Sequence, residues 1–116
     1  MLWTLDDDRD DGVLVVRDPY FETVAPVAST EDATSEEEGL ELDGSAVYTW
    51  NHGIGEVISS VLDAGLTLAG FVEHDTVPWD ALGAGSMTEV APNEWTLAQR
   101  PERLPHSYTL QATKPE

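Results

Sequence analysis

The chain has 116 residues, with 23 acidic side chains against five basic ones and a formal net charge of −18. A field of that sign repels nucleic-acid phosphates and anionic lipid, so neither is expected as a partner. Cysteine is absent, which excludes disulfides, thiolate nucleophiles and cysteine-ligated metals.

The length suits one domain with a modest core. Lys114 is the sole lysine among abundant Asp and Glu. That balance fits a protein adapted to molar salt, where screening relieves self-repulsion, or an ordinary acidic cytosolic protein. No apolar run approaches the ~20 residues that span a bilayer. The opening MLWTLDDDRDD is acidic and lacks a signal-peptide core. A soluble, cytoplasmic chain is the expectation.

In chain order, Leu2 to Leu5 is a short apolar stretch, read either as a frayed start or as the last residues of a core strand. Asp6, Asp7, Asp8, Asp10 and Asp11 follow, interrupted by Arg9. Closely spaced carboxylates suit Ca²⁺, but the order of an EF-hand loop is missing. A solvated acidic loop is the preferred reading, and no residue is assigned to a metal. Val13 to Val16 is β-branched and reads as a strand, ended by Asp18-Pro19. Tyr20 and Phe21 then form an aromatic pair facing the body of the protein or a ligand pocket.

From Ala25 to Gly44 the chain is acidic and nearly free of apolar residues, as in a solvated excursion. Ser45 to Trp50 alternates, and is expected to pair antiparallel with Val13 to Val16. Gly53 stands at a helix N-cap with Glu56 three residues on, a weak cap without a side-chain acceptor. Ile54, Val57, Ile58, Val61 and Leu62 recur at helical spacing as one apolar stripe. Gly65 occupies the place of a left-handed C-cap residue. Leu66 to Val72 is of strand length, so Trp50 to His74 reads as the second half of a β-α-β unit.

Beyond it, Asp75 to Leu104 is punctuated by prolines and glycines and is expected to be irregular, anchored by Trp79, Leu82, Met87, Trp95 and Leu97. His106 to Lys114 alternates, with Tyr108, Leu110 and Ala112 on one face, as in a terminal antiparallel strand at a sheet edge.

No P-loop, nucleophile elbow, zinc signature or dinucleotide glycine motif is present. His52 precedes the helix and His74 ends the following strand. In an open α/β sheet both positions lie on the carboxyl edge, where ligands bind. The two histidines are therefore expected to face one site, with Trp50 and Glu73 nearby.

Three segments, LWTLDDDRDDGVLVVRDPYF, TWNHGIGEVISSVLDAGLTLAGFVEHDTVPW and RPERLPHSYTLQATKP, resemble the C-terminal part of class I S-adenosylmethionine-dependent methyltransferases. The likeness is to small-molecule methyltransferase-like proteins of archaea and actinobacteria in particular. The family pattern W-x-H-S-[LI]-G-E-[IV] reads here from Trp50 to Val57, with Gly53 in place of the usual serine. The resemblance implies a partial Rossmann-like sheet: the end of strand five, a lid-like insertion, the last sheet helix, then strands six and seven. It also implies S-adenosylmethionine as the cofactor of the full-length family and a small-molecule methyl acceptor. Trp3, Tyr20, Phe21, Trp50, His52 and His74 are the acceptor-side candidates. No residue matches a cofactor-binding position of the family, so the chain is expected to be a C-terminal portion, inactive alone, needing an N-terminal methyltransferase half or self-association. The alternative is a non-catalytic acidic interaction module.

Overall fold

The computed structural model describes residues 1–30 and 46–116. Its strands are β1 (Val27–Thr30), β2 (Ala46–Thr49), β3 (Thr67–His74), β4 (Met87–Ala91), β5 (Glu94–Leu97) and β6 (Ser107–Thr113), with one α-helix, α1 (Ile54–Asp63). They form three two-stranded antiparallel sheets, β1–β2, β3–β6 and β4–β5, giving a mixed α/β architecture. Among the described residues no strand pair is parallel.

The helix and its stop follow the sequence closely. α1 begins after Gly53 and carries no side-chain cap bond there. At its far end Gly65 takes φ +80°, a conformation open to glycine at little steric cost. Gly65 N donates to Leu62 O at 3.0 Å and Leu66 N to Val61 O at 3.3 Å. Those two bonds are a Schellman motif, and they satisfy carbonyls the helix would otherwise leave bare. The chain then reverses directly into β3, which pairs with β6 from Thr67↔Thr113 to His74↔Ser107 with one bulge between Leu68 and Gly70. Phe71 and Tyr108 stack across this ladder with ring centroids 5.3 Å apart. Tyr108, Leu110 and Ala112 are the half-buried positions of β6, while Thr109, Gln111 and Thr113 are exposed.

Four expectations need correction. Val13 to Val16 is not a strand: among the described residues its only ladder contact is an isolated bridge between Leu5 and Val16. Leu2–Thr4, which would have to be its partner, is curled into a 3₁₀ turn, and Val13 N bonds to Asp11 Oδ1 instead. β-branched residues cannot make a strand where no neighbouring backbone is extended. By the same fact Leu2 to Leu5 is not a core-strand end.

The second correction concerns β2, which pairs with Val27–Thr30 rather than with Val13 to Val16. Val27–Thr30 therefore leaves the excursion read from Ala25 to Gly44, and the remainder from Glu31 lies outside the described residues. Third, β2 and β3 flank α1 but belong to different sheets, so no β-α-β unit is completed around α1.

Last, Asp75 to Leu104 is not irregular throughout, because it holds the β4–β5 hairpin. Pro92 and Asn93 (φ 58°) sit in its turn, residue types suited to a type II turn. This segment also supplies most of the core, in which Val77, Leu82, Met87 and Leu97 close over Leu2 and Leu5. Of the expected anchors, Trp79 is the exception, at 59% exposed.

One buried polar knot ties the hairpin to β6. His106, 3% exposed, accepts Leu97 N–H through Nε2 at 3.1 Å. Its Nδ1 lies 3.0 Å from the Leu104 carbonyl oxygen. An amide donor on one nitrogen and a carbonyl on the other dictate the neutral tautomer protonated at Nδ1. His106 N donates to His74 O at 2.7 Å and Ser107 Oγ to Thr76 O at 2.6 Å, so the end of β3 and the start of β6 are locked together.

Candidate functional site

The acceptor-side candidates gather at the N-terminus of α1. Pro19 ends the preceding stretch, and its carbonyl accepts Asn51 Nδ2 at 2.8 Å. The next residue, Tyr20, lays its ring across Gly53. Its hydroxyl oxygen accepts the Ile54 N–H at 2.9 Å, satisfying a helix donor that glycine has no side chain to reach. Trp3 stacks on Tyr20 at 6.0 Å and 14°, and Phe21 meets the same ring edge-on at 5.1 Å and 84°. Trp3, Tyr20 and Phe21 thus form one aromatic row, in arrangements favoured by the ring quadrupoles.

His52 stands beside that row. Its Nδ1 is 3.6 Å from Glu22 Oε2 and 3.5 Å from Glu56 Oε1. Glu56 pushes the Glu22 carboxyl above its ordinary range through a shared hydrogen bond. The same bond, and then His52, hold the Glu56 carboxyl below that range. Two carboxylates face one imidazole here, with Glu22 the readier to hold a proton. Sequence reasoning missed Glu22 and Glu56; the i,i+4 spacing of His52 and Glu56 was a signal for Glu56, and none pointed to Glu22.

Trp50 and His74 are placed differently. Trp50 is exposed and its indole N–H reaches only the Val24 carbonyl at 3.4 Å. His74 bonds through Nε2 to Thr109 Oγ1 at 2.8 Å, across the β3–β6 ladder. Among the described residues no hydrogen bond or ion pair joins His52 to His74.

A cleft of about 820 Å³ opens on the far side of Trp3, between the Leu2 to Leu5 turn, the β1–β2 ribbon and the Val77 to Leu82 segment. Its apolar wall includes Leu2, Leu5, Val77 and Leu82, and its rim carries Asp7, Asp8, Asp18 and Arg17. Arg17 gathers Asp6, Asp7, Asp8 and Asp18 at 2.9, 3.0, 2.8 and 3.3 Å. Asp18, then Asp8, hold its guanidinium more firmly protonated than usual. The acidic stretch is solvated, as expected, and three of its carboxylates also share Arg17 as a partner. Trp3 Nε1 is buried and, among the described residues, has no hydrogen-bond partner. The volume is in the range of small-molecule pockets, and its lining mixes polar and apolar side chains.

No family model, curated protein or solved structure matches the chain. No helix among the described residues is long and apolar enough to cross a membrane.

Proposed function

We propose that this chain forms the C-terminal part of a class I S-adenosylmethionine-dependent methyltransferase acting on a small molecule, whose cofactor-binding half lies outside these residues. The observation that carries the reading is the order α1, β3, long excursion, then β6 returning antiparallel against β3. That order supports the last helix and strands six and seven which the sequence resemblance implies, within a partial Rossmann-like sheet completed by the missing half. The second ladder edge of β6 has no strand on it among the described residues, which leaves room for a strand from that half.

The residues present do not fit S-adenosylmethionine. A cofactor cradle needs bare glycine backbone at a helix start. Here a Cβ on Gly53 would lie 2.9 Å from Tyr20 Cε1, so the Tyr20 ring already covers that backbone. No methyl-transfer step is therefore assigned to this chain. Its part in the reading is to wall the acceptor site. The cleft beside Trp3 receives the acceptor, and the Trp3–Tyr20–Phe21 row fixes Trp3 against α1.

A second reading rests on a different observation. No side chain of α1 is fully buried, and Leu62 and Val72 are 52% and 54% exposed. Apolar surface of this kind suits a non-catalytic acidic module that covers it with a partner or a second copy. Equilibrium dialysis against methyl-labelled S-adenosylmethionine separates the two. The methyltransferase reading expects no binding by the chain alone, and expects binding with co-elution when it is co-expressed with the cofactor-binding half of an acidic class I methyltransferase. Self-association, with no affinity for such a half, favours the module.

A further inference from the structure

We propose that Glu22, His52 and Glu56 form a binding site for a divalent first-row transition cation of the Zn²⁺ or Mn²⁺ kind, a property independent of the methyltransferase reading. One ligand atom from each of the three lies within 4.8 Å of the others. In a tetrahedral site with bonds of about 2.1 Å, neighbouring ligand atoms stand about 3.4 Å apart. The His52 Nδ1 separations of 3.6 and 3.5 Å from the two glutamates come close to that edge before any ion draws them in.

The three ligands come from two segments fixed to each other by independent contacts. His52 and Glu56 sit on either side of the α1 N-cap. Glu22 is brought there by the Asn51–Pro19 and Tyr20–Ile54 hydrogen bonds and by the packing of Tyr20 over Gly53. The site is therefore held by backbone and ring contacts outside the ligand set, as a metal centre requires.

Charge points the same way. Among the described residues neither Glu22 nor Glu56 is paired with a lysine or arginine, although the two carboxylates face each other in a chain of net charge −18. The partial positive charge of the helix N-terminus, about half an elementary charge, opposes a cation, and two carboxylates outweigh it. One imidazole with two carboxylates suits Zn²⁺ or Mn²⁺ better than the all-oxygen sets of Ca²⁺ and Mg²⁺. Three protein ligands leave at least one position open. The open side meets a shallow hollow of about 400 Å³ lined by Phe21, Glu22, Thr23, Val24 and Glu56, with room for water or a further ligand. The Asp6, Asp7 and Asp8 group differs on this point, because all three already pair with Arg17.

Isothermal titration of the full chain with Zn²⁺ and, separately, Mn²⁺ tests the site, in molar KCl to screen diffuse association with the acidic surface. The expected result is one saturable site per chain for at least one of the two ions. It weakens at least tenfold in His52→Ala and in Glu22→Gln, and is unchanged in the Asp7→Asn/Asp8→Asn double variant. A Co²⁺-loaded sample should show a visible absorption band that His52→Ala alters, which reports nitrogen ligation. Far-UV circular dichroism confirms that the variants fold, since all three ligands lie at the surface. Absence of a saturable site for both ions overturns the proposal. So does binding that survives His52→Ala and Glu22→Gln unchanged.

Discussion

Tyr20 and Gly53 are a matched pair. The Tyr20 ring occupies the space a Cβ on residue 53 would need, with Cε1 2.9 Å from that position, while its hydroxyl accepts the Ile54 N–H. Gly53 has φ −67° and ψ 151°, a backbone open to any residue. Glycine is required there for room alone. Placing serine, ordinarily the better cap, should therefore destabilise the chain by about 1–3 kcal/mol through overpacking. In a Tyr20→Ala background the same substitution should cost little. A double-mutant cycle by urea unfolding measures the coupling, and additive effects would deny the contact.

Gly65 makes the opposite case, since its φ of +80° is the constraint and its surroundings are open. Gly65→Ala should cost about 1 kcal/mol or more. The check is a lower urea midpoint with an unchanged slope.

The His106 knot should be the most sensitive polar position. His106→Leu leaves the Leu97 N–H buried without its acceptor, a loss of about 1–3 kcal/mol. Amide hydrogen exchange at Leu97 should accelerate by more than it does at Gly65, because the lost bond is local to the β5–β6 junction.

Arg17→Gln frees four carboxylates from their common partner. The pairs are largely exposed and screenable, so the variant should melt earlier than the parent in low salt and at nearly the same temperature in molar KCl. A salt-independent difference would mean that Arg17 acts through packing instead.

The legible parts of the fold were the ones specified locally. The apolar stripe of α1, the Gly65 stop and the alternation of Tyr108, Leu110 and Ala112 each need only a few consecutive residues to be read, and all three are found. Strands whose extended shape depends on a partner were not legible. Val27–Thr30 has little β character of its own and is a strand because Ala46–Thr49 lies beside it. Val13 to Val16 has that character in full and, among the described residues, pairs only through the Leu5–Val16 bridge.

The site divides along the same line. Tyr20, Phe21, Trp3 and His52 were identified as residues, but Glu22 and the Tyr20–Gly53 contact depend on two distant segments meeting. Nothing in either segment alone announces that meeting. His106 was read only as the first residue of the terminal strand, yet its role is set by the Leu97 and Leu104 backbone groups around it.

The central claim of the proposal is that β6 offers an edge that carries no strand among the described residues to the cofactor-binding half of a methyltransferase sheet. Hydrogen exchange of the Ser107–Thr113 amides tests it most directly, measured for the chain alone and with the cofactor-binding half of an acidic class I methyltransferase. The account predicts co-elution of the two polypeptides and at least tenfold slower exchange at the amides of β6 that do not bond to β3. Unchanged exchange across Ser107–Thr113, with the two polypeptides eluting apart in both low and molar salt, would contradict it.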